Sequence, residues 1–526
     1  MKIKQKYWLY RVLPLVIVTI TALLFSFSLF QTDLHQVAEN TEETEKPIQP
    51  EVYGDPWNPV LVTFEVTVPN WTPNEDRIFL VVDGYMPELE YGLSRGIPMK
   101  EKEPNVWTVI FKAPEDYNIR YKYNRNNFGY AADEEFFPDS PDTWREVFVH
   151  DEPLLIQDKV EKWRWLSEKL PQVNLSTFRP DSLPHRDEPF IIGVFLIDYF
   201  DPTFREFFPS TLDRIKEGGF EYIGVAMSAS TFVSSNPLVF SDEYYEAGLE
   251  DLELIVTEAR KRGLKIVLSG GIETAVTGPV TFEDIEAEFR KPQSDEWYLQ
   301  LVEKWEESMV RLARVAEEYN IEILTPSDQW FVWGDKTEEQ KRMLNPLINK
   351  AYEEIRKVYS GKISSDIYVL DEAFDYYKQL DWIGDKWWWG LSDKKETTLE
   401  EMKLEAERII DTIYAPAYNK YNKPIFLQQV GYASYDGAAG AVQISTEDPA
   451  VAEWYPYNDE YPLDFQEQAD AYEAVFQAIY DDPRFVGAFS FGYAYLDLQE
   501  KAAGIRGKPA EDVWIKWNNI FKELQS

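Results

Sequence analysis

KPIFLQQVGYAS, Lys423 to Ser434, decides the fold. The apolar run Ile425–Leu427 passes into Gln428 and Gln429 and then a Gly431-Tyr432 turn. A short apolar run ending in polar residues reads as a parallel strand buried on both faces, which delivers its last side chains to the C-terminal rim of a barrel. The same unit recurs on either side of it. From Phe190 onward we read strands at FIIGVFLI, YIGVAMS, KIVLSGG, IEILTPS, KISSDIYVL, the LDWIGDKWWW region, PIFLQQVGY and FVGAFSFGYAYLD. Amphipathic stretches such as FPSTLDRIKEGG, LEDLELIVTEARKRG and WEESMVRLARVAEEYN alternate with them, and Gly219 and Gly263 stand where helices should stop. Eight strands in this alternation predict a (β/α)8 TIM barrel over 190–526.

Upstream the period changes. VLVTFEVTVP, DRIFLVVDG, NVWTVIFKAP, IRYKYNR and WREVFVHD alternate apolar and polar residues between Asn, Asp, Gly and Pro clusters. This pattern predicts an all-β, immunoglobulin-like sandwich over 56–150. Residues 31–55 are acidic and poor in apolar side chains and read as a linker, as does 151–189. At the N-terminus, Lys2, Lys4, Lys6 and Arg11 precede an apolar run from Val12 to Phe30. Nineteen residues at a helical rise span ~28 Å, about one bilayer core. The expectation is a membrane helix over 1–30, either an uncleaved anchor holding the rest outside the membrane or a cleaved signal of a secreted protein.

Composition removes several classes of function. A net charge of −40 would repel a phosphate backbone, which excludes nucleic acid as the expected partner. Without cysteine there is no thiol nucleophile and no thiolate metal site, and His35, His150 and His185 all lie outside the barrel strands. No metal and no cofactor are expected. Eighteen Trp, 32 Tyr and 31 Phe exceed ordinary core needs, and aromatic rings stack on the apolar faces of sugars.

FEVTVP, IFLVVDG, the Trp107 strand, IRYKYNR and PDSPDTWREVFV resemble starch-binding modules of carbohydrate-binding family 20. The resemblance implies that Lys122 touches an α-glucan and that aromatic platforms stack on it. Of those platforms only Tyr91, in ELEYG, has a counterpart, with Trp144 as a further ring. The other reading is a scaffold sandwich with Trp107 and Tyr121 in its core.

GGFEYIGVAMSA with LEDLELIVTEARKRGLKIVLSGGI, RLARVAEEYNIEILTPSD, and LINKAYEEIRKVYSGKISSD followed by KPIFLQQVGYAS resemble clan-A glycoside hydrolases, and among them family 113 with its β-mannanase activity. The resemblance implies carbohydrate as the partner, β-mannan here against α-glucan from the sandwich. It also implies two catalytic carboxyls, whose separation sets the stereochemistry. The acid/base position corresponds to Asp328 and the nucleophile position to Gln429, an amide that cannot attack an anomeric carbon. Glu273 and Asp385, at the ends of strands three and six, are the next candidate catalytic acids; Asp371, Glu372 and Asp497 also fall near strand ends. Trp330, Trp333, Trp388, Tyr432, Tyr493 and Tyr495 are expected to line the cleft with Gln429. Three functions remain open: hydrolysis or remodelling of a polysaccharide through an unorthodox acid pair, glycan binding on a barrel without catalysis, or a structural envelope role in which the sandwich spaces the barrel from the membrane.

Overall fold

The computed structural model describes residues 52–89, 92–93, 96–127, 133–134, 144–196, 204–233, 236–240, 242–274, 292–326, 328, 336–365, 367, 370–440, 462–497 and 501–525. The expected membrane helix at 1–30 lies outside them; among the described residues no helix is long and apolar enough to cross a membrane.

Alternation builds the first domain. In β2 (Val60–Thr67), Val60, Val62, Phe64 and Val66 are buried while Leu61 and Thr67 are exposed. Around it run β1 (Val52–Gly54), β3 (Ile78–Val82), the short pair β4 (Glu88–Leu89) and β5 (Gly92–Leu93), β6 (Ile97–Pro98), β7 (Lys100–Glu103), β8 (Val106–Ala113), β9 (Tyr117–Arg125), β10 (Arg145–Val149) and β11 (Leu154–Lys159). One sheet has the order β1-β8-β2-β11 with β7 beside β8; the other has the order β10-β9-β3-β6. Side chains of both sheets, Phe64, Ile78, Leu80, Val109, Ile119 and Tyr123 among them, share one core.

The domain is larger than 56–150. β1, within the expected acidic linker, pairs in parallel with β8, and β11, within the expected second linker, pairs in parallel with β2. The rest of that second linker is not free chain. Trp163 is buried against the sandwich with its indole N–H on Thr72 Oγ1 at 2.8 Å. Residues 174–188 then form a strap along the barrel's outer helices. The Asn174 N–H donates to Gln466 Oε1 at 2.6 Å, Lys516 Nζ to the Ser176 carbonyl at 3.1 Å, and Arg179 pairs with Glu523. Arg186 donates to the carbonyls of Tyr480, Asp482 and Phe485 and lies over the rings of Phe190 and Phe521.

Eight parallel strands follow: β12 (Ile191–Leu196), β13 (Tyr222–Val233), β15 (Lys265–Thr274), β16 (Ile323–Thr325), β17 (Lys362–Ile363), β18 (Ile383–Trp387), β19 (Ile425–Val430) and β20 (Phe485–Tyr493), with β14 (Asn236–Phe240) folding back on β13. Each pairs with its sequence neighbour, β20 pairs with β12, and parallel bridges Ser364↔Trp382 and Ile367↔Asp385 close the ring between the fifth and sixth strands. Helices α1 (Phe204–Glu217), α2 (Asp242–Lys261), α3 (Asp295–Glu318), α4 (Glu338–Val358), α5 (Leu399–Ile409), α6 (Ala415–Tyr421), α7 (Phe465–Ile479) and α8 (Pro509–Gln525) account for the outer layer among the described residues. Both α4 and α5 start on capping boxes, Thr337 with Gln340 and Thr398 with Glu401, each worth ~1 kcal/mol to its helix.

Two separate cores reveal which way each strand residue points. Val267, Ile323, Trp382, Phe426, Val486 and Phe489 fill the bore, whereas Leu268, Leu324, Ile383, Leu427 and Phe485 pack outward with the helices. Gly224 makes room for the bore filling: a Cβ there would stand 2.4 Å from the ring of Phe195. Burying such rings fully contributes roughly 1.5–3 kcal/mol each, so the bore is a packed core and not a channel.

Candidate functional site

Parity decides what reaches the C-terminal mouth. On β19, Phe426 faces the bore and Leu427 faces the helices, which turns Gln428 inward. Gln428 is fully buried, its amide donating to Ser269 Oγ at 3.2 Å and Thr325 Oγ1 at 3.0 Å across the barrel. Its carbonyl oxygen has no donor among the described residues. The register against β18 then slips: Asp385 pairs with Leu427, but Lys386 pairs with Gln429 and Trp387 with Val430. Since Trp387 and Val430 belong to the outer core, Lys386 and Gln429 share the inner side. A bulge therefore presents two successive glutamines to the bore. Lys386 went unnoticed in the sequence, because every residue of Ile383–Trp387 is buried and the strand shows no alternation of polarity.

The three tryptophans after Lys386 divide. Trp387 stacks on Tyr414 with ring centres 5.4 Å apart, and the Trp389 indole N–H donates to Tyr414 Oη at 3.1 Å. Trp388 instead bends over the end of β19, against Gly431 and edge-on to half-buried Phe491 at 4.8 Å. At Gly431 a Cβ would meet the Trp388 ring at 2.7 Å, so only glycine lets that ring lie where it does.

Two of the three candidate catalytic acids are tied to tyrosines of the helix layer. Asp385 lies on the outer side of β18 with Ile383 and Trp387, and accepts the hydroxyl of Tyr414 from the π-turn Ile410–Tyr414. Burial and the Asp385 charge hold that phenol far above its usual range, so it stays a donor. Asp328 has no exposed surface, and its Oδ2 accepts the Tyr352 hydroxyl of α4 at 2.9 Å. Tyr352 stacks in turn on Tyr376 at 5.1 Å, within the helix layer. Both aspartates were expected to face the cleft; strand parity puts Asp385 on the outer side instead, and each carboxylate accepts a buried tyrosine hydroxyl. Glu273 ends β15 with its backbone opposite Thr231, its side chain lying outside the described residues. Asp371 and Glu372 pair with Lys341 and Lys420 on the outer surface, and Asp497 with Arg214 and Arg506.

The expected cleft aromatics also need correction. Tyr493 is fully buried and donates to Glu511 on α8 at 2.7 Å; Tyr495 stacks on Phe207 of α1. Tyr432 is buried too, accepting from the Trp387 indole and donating to the Trp389 carbonyl at 2.9 Å. All three are packing residues of the helix layer and rim. Trp330 and Trp333 lie outside the described residues, as does Tyr91.

In the sandwich, Lys122 is 5% exposed, ion-paired with buried Asp133 at 2.5 Å and covered by the Trp144 ring at 4.6 Å. That side chain is committed to the domain interior and offers no free ammonium to a glucan. Glu134 is buried beside it in a pair with Arg145 at 2.7 Å.

One trio of carboxylates among the described residues, Asp436, Asp464 and Glu467, has its oxygens within 4.8 Å of one another. It sits behind the loop that follows β19. Glu467 accepts the N–H groups of Gly437 and Ala439, both at 2.7 Å, so the trio anchors that loop. Burial pushes its carboxyl up to about 7.

Residues 206–505, more than half of the chain, match Glycoside Hydrolase Family 113. Among solved structures, a GH113 β-1,4-mannanase determined as a complex is 20% identical, covering 63% of this chain and 99% of its own, with a TM-score of 0.47. The GH113 β-mannanase AaManA from Alicyclobacillus acidocaldarius, in complex with ManMIm, is 18% identical over 64% of this chain and 99% of its own, also at 0.47. None of the curated proteins matches.

Proposed function

From the premise that the chain belongs to glycoside hydrolase family 113, we propose that its barrel binds a β-mannan-type glycan without cleaving it. One observation carries this reading. The inner side of β19 ends in Gln428 and Gln429, while Asp328 and Asp385 are hydrogen-bonded to Tyr352 and Tyr414 in the helix layer. Glycoside cleavage needs one carboxyl to protonate the leaving oxygen and another to attack carbon or to activate water. An amide does neither; it donates to and accepts from sugar hydroxyls. Trp388 and Phe491 supply apolar surface for a pyranose face, and Lys386 and Gln429 supply polar contacts. The mannan-type ligand rests on the family. The sandwich serves as scaffold in this reading, because Lys122 is spent on Asp133. Lys2, Lys4 and Lys6 before the apolar run Val12–Phe30 support an extracytoplasmic, membrane-anchored location.

The test uses β-1,4-mannohexaose with the full chain. Saturable binding by calorimetry, with no new reducing ends over a long incubation, is expected. Release of reducing ends by the wild-type protein would overturn the reading. A gain of hydrolysis in Gln429→Glu would identify the amide as the missing carboxylate's replacement.

A further inference from the structure

Among the described residues the indole N–H of Trp388 has no acceptor, and its ring is held by shape alone, over Gly431 and edge-on to Phe491. The direction of that ring is therefore set by the backbone corner Trp387–Trp389, and the end of β19 ties this corner down. The Gly431 N–H donates to the Trp387 carbonyl at 3.3 Å. One hydroxyl then spans the corner: Tyr432 Oη accepts the Trp387 indole N–H at 2.6 Å and donates to the Trp389 carbonyl at 2.9 Å. The two residues so joined are those on either side of Trp388. Tyr432 is itself fixed. Its N–H donates to Tyr472 Oη of α7 at 3.1 Å, its carbonyl accepts from Gln468 of α7 at 2.7 Å, and its ring stands edge-on to Tyr472 at 5.6 Å. Burial holds the phenol well above its usual range, against the opposing effect of the indole donor, so the hydroxyl keeps its proton for Trp389.

We propose that Tyr432 is a positioning residue of the mouth: through Trp387 and Trp389 it fixes the ring of Trp388 in the attitude that receives a pyranose face. The inference rests on the glycan-binding reading and adds to it what keeps the aromatic platform ready. Tyr432 is 4% exposed, too buried to meet a ligand itself. A ring already held spares the ligand the cost of ordering it, which for one immobilised side chain is roughly a two- to tenfold gain in affinity.

Tyr432→Phe keeps the buried ring and removes only the hydroxyl, and two measurements on the full chain test the proposal. The first is a double-mutant cycle by calorimetry with mannohexaose. Tyr432→Phe should weaken binding about two- to tenfold with Trp388 present. It should change nothing in a Trp388→Ala background, where there is no platform left to hold. An equal loss in both backgrounds, or no loss in either, would overturn the proposal; a hydroxyl that only supports the fold lowers the melting temperature without this coupling. The second measurement needs no sugar. In protein labelled with 5-fluorotryptophan, the fluorine resonance missing from Trp388→Phe reports that ring, and Tyr432→Phe should shift or broaden it. An unchanged resonance would also overturn the proposal. Where the wild-type protein binds no mannohexaose, the glycan reading falls, and the fluorine spectrum alone decides whether Tyr432 sets the ring. Where Tyr432→Phe fails to fold, Trp387→Phe removes one arm of the bridge and keeps a ring to stack on Tyr414. The same coupling to Trp388 and the same spectral change are expected of it, and their absence would overturn the proposal.

Discussion

Glu467→Gln should flatten part of the protein's stability against pH. Glu467 is 7% exposed, with both carboxyl oxygens on backbone N–H groups and with Asp464 and Asp436 close by. Burial is the largest cause of its raised value, and the two aspartates add to it, lifting the group from an ordinary 4.5 to about 7. An acid with a raised folded value holds its proton longer in the native state. Stability from this group is therefore full in acid and is lost as pH rises through the window between the two values. Between pH 5 and pH 8 linkage gives a loss of about 2.5 kcal/mol for the wild-type protein relative to a group that does not titrate. Glutamine keeps one acceptor and loses the other, a fixed cost of ~1 kcal/mol at every pH. Urea unfolding of the barrel transition, followed by tryptophan fluorescence for both proteins, reads the difference. The variant should be less stable near pH 5 and more stable near pH 8. Parallel stability curves would refute the assignment of a raised carboxyl at this position.

Trp388→Ala should weaken mannohexaose binding by roughly tenfold or more, ~1.5 kcal/mol, with the melting temperature little changed, since calorimetry then reports loss of a half-buried rim ring. Unchanged affinity would remove Trp388 from the ligand surface. Tyr414→Phe removes a donor from the buried carboxylate of Asp385 and should cost ~1 kcal/mol in thermal unfolding while sparing glycan affinity. A fall in affinity at constant stability would return Asp385 to the site.

The barrel was legible because its strands are short apolar runs that alternate with amphipathic stretches, two of them preceded by a helix-ending glycine, Gly219 and Gly263. Even the sixth strand, buried in LDWIGDKWWW, appears as Ile383–Trp387. The site was legible only by position along the chain. A strand covered on both faces carries no alternation of polarity to say which residues point inward. Asp385, between Ile383 and Trp387, thus looked as available as Lys386. The slip in register between β18 and β19 is a property of two strands together, so Gln428 and Gln429 could not be told apart from the sequence of one. The strap was missed for a different reason. Its residues are polar and Pro-rich, as in a free linker, and their partners Gln466, Lys516 and Glu523 stand 292, 340 and 344 positions away.

Those separations set an order of assembly. A chain leaving the ribosome completes the sandwich first, since all its strands end by Lys159. The strap has nothing to grip until α7 and α8 emerge, and α8 contains the last described residues of the chain. Arg125 of β9 likewise waits for the Asp497 carbonyl, to which its Nη2 donates at 2.8 Å. The two domains therefore become a single body only once α8 has been made, and a chain truncated before α8 would carry a finished sandwich beside an open barrel whose strap lacks its α8 partners.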